Sequence, residues 1–310
     1  MNWLERVYAW GVALDRRLRR VHRLPVPVVS VGNLSVGGRG KTPLVIFIVD
    51  RLKELGLNPV VLTRGYGRQS RQALCVETGT EKFANSRDMG DEPLEIFVRT
   101  RCPVLVASNR VQIALDFLAE HRSSSKLVFV LDDGFQHWSL ARDLNIAIVA
   151  EEDFQDRLLP MGRLREGPDA LKRADLILKS GVDIVKKSHW PKEPDPEALV
   201  HVLTTRAPDP HYRKFFEHRR NVVFVELSDH ARGEDIFEAL MDLPGGELAV
   251  GLKEAAKLFS IDQLSRFYIN KEAWLPMSES EFHVTLIDLE LEIRDDRLEA
   301  ALRGISERGS

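Results

Sequence analysis

The segment Gly37-Gly38-Arg39-Gly40-Lys41-Thr42 carries the residue types a phosphate-binding loop needs, in the order it needs them. Glycines let successive backbone N–H groups turn inward around phosphate oxygens. A lysine reaches the β- and γ-phosphates, and a threonine hydroxyl at a helix N-terminus ligates Mg²⁺. Pro43 fits the first helical turn, where its missing N–H has no intrahelical partner. The usual spacing places glycine at position 35, where this chain has Ser35, so Gly37 and Gly38 must make the tight turn. The alternative is a Gly-rich turn that binds nothing. The reading adopted is that Ser35, Val36, Gly37, Gly38, Arg39, Gly40, Lys41 and Thr42 hold ATP or GTP.

Several other polar residues stand where such a loop would use them. Asp132 and Asp133 follow the apolar run Leu127 to Leu131, the place from which a nucleotide-binding fold holds Mg²⁺ directly or through water. Carboxylates at a strand end also serve as turn or cap residues. Glu166 is a further acidic group that is silent by itself. Asp91, in Gly90-Asp91-Glu92-Pro93, reads either as a helix N-cap or as the carboxylate beside an attacking hydroxyl. His230 follows a later strand and is either structural or brought to Asp91 across a cleft. Arg64-Gly65-Tyr66-Gly67 is a tight turn that presents an arginine suited to phosphate and a tyrosine suited to a sugar or an acyl chain, or it is an ordinary loop.

The elements that position these residues follow from the hydrophobic pattern. Val26 to Val31, Pro59 to Leu62, Pro103 to Val106, Leu127 to Leu131, Ile146 to Val149 and Leu176 to Leu178 are short apolar runs without strict alternation. Helical stretches separate them: Pro43 to Leu55, ended by Gly56, one starting near Asp91, and Asn109 to His121. That pattern predicts a parallel sheet covered on both faces, with ligands at its C-terminal edge. The proline- and charge-rich stretch 186–197 reads as a linker. Beyond it, Leu199 to Leu203, Val222 to Val225 and Leu248 to Val250 predict a second, smaller α/β domain over 198–310. Val284 to Ile293 alternates like one strand, and Arg297 to Ile305 resembles a terminal helix. The expected fold class is therefore α/β: a P-loop NTPase-like parallel sheet over 25–185, the smaller domain, and an N-terminal amphipathic helix over 1–24.

Composition narrows the function classes. Across 310 residues the net charge is −3, with acidic and basic residues intermixed, so the chain has no global basic field for nucleic acid. Cys75 and Cys102 have no metal-like spacing and fit a reducing compartment. No apolar run reaches eighteen residues and no signal peptide is evident. In the first twenty residues Trp3, Leu4, Val7, Gly11, Leu14 and Leu18 share one helical face, flanked by Tyr8 and Trp10, with Arg16, Arg17, Arg19 and Arg20 crowding the end. Such a helix lies in a membrane interface or docks on its own domain.

Taken together, these segments resemble the tetraacyldisaccharide 4'-kinase family of lipid A biosynthesis. The resemblance rests on Val31 to Pro43, Arg64 to Gly67, Gly90 to Pro93, Asp132 to His137 and Leu158 to Glu166, in family order over roughly 25–180. Ser35 is that family's own form of the loop. Ser228-Asp229-His230 looks like the family's Asp-His pair. Leu252 to Ala256 looks like a diverged form of another family segment, with Leu252 and Glu254 as departures that leave the role of Lys253 open. The resemblance implies transfer of the ATP γ-phosphate to the 4'-hydroxyl of an acylated glucosamine disaccharide 1-phosphate. Lys41 and the loop would hold the phosphates, and Thr42, Asp132 and Asp133, with Glu166 nearby, would hold Mg²⁺. Asp91, oriented by His230, would accept the sugar proton, while Arg64, Tyr66 and Arg110 would contact substrate. It also implies work at the cytoplasmic face of the inner membrane of a Gram-negative bacterium, which favours the interfacial reading of the first helix. Two rivals remain: a membrane-associated P-loop switch without a small-molecule acceptor, and a soluble ligase-like enzyme that phosphorylates a carboxylate.

Overall fold

The structure is a computed structural model that describes residues 2–37, 40–80, 86–122, 124–204, 214–228, 231–278 and 280–308. The chain opens with helix α1 (Trp3–Leu18) and then alternates through β1 (Val28–Asn33), α2 (Lys41–Glu54), β2 (Asn58–Thr63), β3 (Leu74–Val76), α3 (Ser86–Met89), α4 (Asp91–Thr100), β4 (Val104–Val106), α5 (Arg110–Glu120), β5 (Leu127–Leu131), β6 (Leu144–Val149) and β7 (Leu176–Lys179). The seven strands form one sheet in the order β3-β4-β2-β5-β1-β6-β7. Every pairing is parallel except β3 with β4.

The central strands are buried from end to end, which is why their sequences run apolar without alternation. On one face Val29, Val31, Val61, Val130 and Ile146 pack against Leu44, Ile48 and Leu52 of α2 and Leu94 and Phe97 of α4. On the other, Val28, Val60, Leu62, Phe129 and Leu131 pack against Val111, Ala114 and Phe117 of α5. Consecutive residues of β1 thus serve opposite layers, as the pleat dictates.

A second sheet holds β9 (Val200–Thr204), β10 (Val222–Glu226), β11 (Gly246–Val250), β12 (Glu272–Pro276) and β13 (Glu281–Leu286), ordered β10-β9-β11-β13-β12, with only β12 antiparallel to its neighbour. The α/β class and the mostly parallel sheet agree with the sequence pattern.

Two local expectations differ from the structure. The stretch expected as a linker begins inside strand β8 (Ile184–His189), which pairs antiparallel with β14 (Asp288–Ile293), and Trp190 after it is buried with Val200, Val202 and Phe216. Lys186 and Lys187, with the prolines at 191, 194 and 196, are what made the stretch look like a linker. The alternating run Val284 to Ile293 is two strands in two sheets. The break falls at the buried Ile287, whose N–H donates to the Val250 carbonyl. The terminal helix Asp296–Arg308 returns to the first sheet's layer, packing Leu298, Leu302 and Ile305 into the core beside α2, while Arg51 Nε donates to Glu299 Oε2 at 2.7 Å.

Helix α1 carries its apolar stripe outward. Trp3 is 70% exposed, Trp10 68% and Leu18 74%, with Val7 and Leu14 on the same exposed face. The inward anchor is Glu5, buried, which caps the helix through Asn2 and accepts from Arg157 Nε at 2.9 Å. Trp10, expected as a flank, belongs to the exposed stripe, whereas Leu4 and Tyr8 are half-buried. Among the described residues no helix is long and apolar enough to cross a membrane.

Candidate functional site

Strands β2, β5 and β1 are neighbours in the sheet, so the loops that leave their C-terminal ends converge. These loops carry Arg64 to Gly67, Asp132 to His137 and the glycine-rich segment. Close approach of backbone holds them together. A Cβ on Gly32 would come within 2.6 Å of the Phe135 backbone nitrogen, and one on Gly65 within 2.7 Å of the Met89 carbonyl oxygen. The first contact seats the Asp132-Asp133 turn beside the end of β1. The second seats the Arg64 loop against the residues that start α4.

The described part of the glycine-rich segment has the backbone of an anion cradle. Gly37 and Gly40 have positive φ, 115° and 88°, and Gly40 is the N-cap of α2, which has no side-chain cap. The helix therefore begins with unsatisfied N–H groups that face an incoming anion. Gly38 and Arg39 lie outside the described residues. Lys41 starts the helix, donates to Asn33 Oδ1 at 3.1 Å and lies 3.4 Å from Asp133 Oδ1. Thr42 is buried in the first turn.

Asp132 and Asp133 have opposite surroundings. Arg165 Nη1 donates to both oxygens of Asp133, at 3.0 and 2.8 Å. Burial pulls the Asp133 carboxyl upward, but the nearby Lys41 and Arg165 cations outweigh it and hold the group below the ordinary carboxylate value. Asp132 is buried. Burial, helped by Glu92 and Asp133, pushes its carboxyl up to about 6, with Lys41 and Thr63 opposing. Thr63 donates to Asp132 Oδ2 at 3.0 Å, while Asp132 Oδ1 has no hydrogen-bond partner. A buried acceptor left without a donor costs roughly 1–3 kcal/mol, and a hard cation is the partner a carboxylate oxygen accepts there.

The donor set fits Mg²⁺. An oxygen-seeking ion that keeps several waters and the substrate's phosphates needs only one or two protein carboxylates and a hydroxyl. Among the described residues no group of three or more His, Cys, Asp and Glu side chains is arranged as a closed metal site. Glu166, expected near the metal, has both oxygens on Arg173 Nη2, at 2.9 and 2.8 Å, and also accepts from Gln136. It anchors the loop that carries Arg165, and both of its oxygens already have partners, unlike those of Asp132.

Arg165 is the residue sequence reasoning passed over. Its neighbour Glu166 drew attention as a carboxylate, and the bidentate grip on Asp133 is visible only in three dimensions. Arg165, Glu166 and Arg173 also line one wall of a groove whose opposite wall is Ala9, Val12 and Arg16 of α1.

Asp91 is not the N-cap of its helix. Gly90 takes that position, with φ 94° and no side-chain cap, and Asp91 is the first helical residue. Its oxygen Oδ2 lies 3.6 Å from Lys257 Nζ, while Lys253 Nζ donates to Glu92 Oε1 at 3.0 Å. Both lysines come from the helix Leu252–Leu258, which follows β11. Burial raises the Asp91 carboxyl, and Lys257 and Lys253 restrain the rise. The detailed place of Lys253, open in the sequence, is thus a charge partner at the start of α4. His230 lies outside the described residues.

Of the remaining candidates, Tyr66 is 85% exposed and Arg64 is exposed beside it. Arg110 is buried, donates to the Asp132 carbonyl at 2.9 Å, and burial brings its guanidinium down to about 10. It braces the Asp132 turn from behind.

A family model described as Tetraacyldisaccharide-1-P 4'-kinase matches residues 3–232. Among curated proteins the chain is similar to the tetraacyldisaccharide 4'-kinase of Aromatoleum aromaticum, 44% identical over 165 residues, 53% of this chain and 47% of that protein. The protein of the same name from Aquifex aeolicus is 41% identical over 164 residues, 53% and 51% of the two chains. The chain spans about half the length of the curated relatives it matches. A crystal structure of the Aquifex aeolicus LpxK in complex with ATP superimposes with a TM-score of 0.73 at 26% identity, covering 97% of both chains.

Proposed function

The chain belongs to the tetraacyldisaccharide-1-P 4'-kinase family, and on that premise we propose that it transfers the γ-phosphate of ATP to the 4'-hydroxyl of a tetraacylated glucosamine disaccharide 1-phosphate. The observation that supports the reading is the packing of the loop after β2 on the Met89-Gly90 turn, which brings the start of α4, with Asp91, to the sheet edge that carries Lys41 and the unpartnered Asp132 oxygen.

The chemistry asked of the protein is positioning and charge neutralisation. The amides that open α2 and the Lys41 ammonium bind the β- and γ-phosphates. Lys41 is already oriented by Asn33 and Asp133, and Arg165, through Asp133, fixes the second of those anchors. Thr42 and Asp132 would hold Mg²⁺, which when bound neutralises phosphate charge. Asp91 takes the proton from the 4'-hydroxyl as that oxygen bonds to the γ-phosphorus and the bond to the bridging oxygen breaks, releasing ADP. Arg64 and Tyr66 stand beside Asp91 as contacts for the sugar or its phosphate.

An acyl-chain substrate gives the outward stripe of α1 a purpose. Trp3, Val7, Trp10, Leu14 and Leu18 would enter the interface of the inner membrane's cytoplasmic leaflet, with the terminal arginines on anionic lipid. The opposite face of α1, through Ala9, Val12 and Arg16, lines the groove shared with Arg165.

The test is ATP-dependent phosphorylation of the radiolabelled tetraacyldisaccharide 1-phosphate in mixed micelles. Labelled product from the intact protein, abolished by Lys41→Ala, supports the kinase. ATP binding without product moves the membrane-associated nucleotide switch to the front, a reading that the exposed face of α1 alone would also satisfy.

A further inference from the structure

We infer that Lys257 is a positioning residue for the transfer reaction: it holds the Asp91 carboxylate ionised and in place, and ties it to the chain segment that follows His230. The inference rests on Asp91 as the proton acceptor and goes beyond it by naming what controls that group.

Lys257 is far from an ordinary surface lysine. Only 9% of its side chain is exposed, and its ammonium lies between two named acceptors, Asp91 Oδ2 at 3.6 Å and the Ala231 carbonyl oxygen at 3.0 Å. Ala231 is itself buried and follows His230 directly in sequence. A second contact makes this tie rigid. A Cβ on Gly233 would meet the Lys257 carbonyl oxygen at 2.5 Å, so the chain at 231–233 lies flat on the backbone of Lys257 as well as on its side chain. One residue thus connects the start of α4, the helix Leu252–Leu258 and the entry to the helix Gly233–Met241.

The charges around Asp91 explain why a cation is needed there. From the helix Leu252–Leu258 come Lys257, Lys253 and the anion Glu254, and from α4 itself comes Glu92. Lys253 is engaged by Glu92. Arg87 of α3 is engaged by Glu234 at 2.8 Å, and Arg64 sits on the neighbouring loop. Lys257 is therefore the cation whose ammonium is directed at Asp91, with burial and Glu254 acting against the ionised form. A proton acceptor must start ionised, and phosphoryl transfer requires only modest basicity from it.

The experiment follows kcat from pH 5 to 9 in mixed micelles for the wild type, Lys257→Met, Lys257→Arg and Asp91→Asn. Loss of the cation should move the acid limb of Lys257→Met about one unit upward, an about tenfold loss of kcat on that limb. The KM for ATP should stay unchanged, and Lys257→Arg should restore the limb. An unmoved limb in a folded Lys257→Met protein overturns the inference. A limb that persists in Asp91→Asn overturns Asp91 as the acceptor, a distinguishable result. A readout free of turnover is ¹³C-aspartate NMR, with the Asp91 carboxyl assigned from Asp91→Asn. Its titration should shift upward in Lys257→Met, and an unchanged titration overturns the inference whatever the activity.

Discussion

Lys41 Nζ lies 3.4 Å from Asp133 Oδ1, and the same carboxylate accepts both of its hydrogen bonds from Arg165 Nη1. Asp133 is thus the hub between two cations, while its chain neighbour Asp132 keeps a buried oxygen without a partner. The two consecutive carboxylates differ: Asp133 is engaged by cations, and Asp132 keeps the oxygen that the proposed mechanism gives to Mg²⁺.

That division predicts different losses. Lys41→Met removes the charge that meets the phosphates, and kcat should fall about 10²–10³-fold. Asp133→Asn leaves Lys41 present but poorly held, so a smaller loss of roughly 10–100-fold is expected. Steady-state kinetics at saturating ATP compares the two, and equal losses would contradict the ranking.

Asp132→Asn should raise the Mg²⁺ concentration needed for half-maximal activity yet raise the melting temperature of the nucleotide-free protein. The sign follows from the carboxyl's rise from 3.8 to about 6. The folded state binds that proton more tightly than the unfolded chain, so ionisation opposes folding fully above about pH 6 and not at all below about pH 4. Calorimetry should show the stabilisation by asparagine at pH 7.5 and its disappearance at pH 4.

Asp91→Asn should lower kcat by about 10²–10⁴-fold, the range for losing a positioned proton acceptor. The KM for ATP should hold, because the proposed mechanism puts Asp91 on the acceptor side of the site. A large rise in that KM with kcat intact would place Asp91 in nucleotide binding instead.

Replacing Trp3 and Trp10 together by serine should weaken binding to anionic phospholipid vesicles by about 100-fold or more, since each indole offers roughly 150–250 Å² of mostly apolar surface. Both side chains are mainly exposed, so circular dichroism and the melting temperature should not change. Vesicle sedimentation that fails to separate the variant from the wild type would remove α1 from the membrane reading.

Much of the fold and of the phosphate-loop signature was legible because it is local. Gly37 to Thr42, Asp132-Asp133 after an apolar strand, and the unalternating strands each state their role over a few residues, since backbone conformation and burial on both faces constrain residue type directly. The period of α1 was legible for the same reason, whereas the outward direction of its stripe and the place of Trp10 on it were not. Local reading failed where partners are remote in sequence. Strand β8 looked like a linker because its partner β14 lies about a hundred residues away, and Val284 to Ile293 looked continuous because alternation does not report which sheet a strand joins.

The sequence by itself determined the α/β class, the phosphate loop and the family, because these depend on residue types at fixed short spacing. The tertiary structure alone decided that Arg165 grips Asp133, that Glu166 is taken by Arg173, and that Lys257 of the helix Leu252–Leu258 faces Asp91. Those are pairings of charged side chains. Coulomb attraction and burial fix them only after the chain has closed, and no spacing along the sequence encodes them.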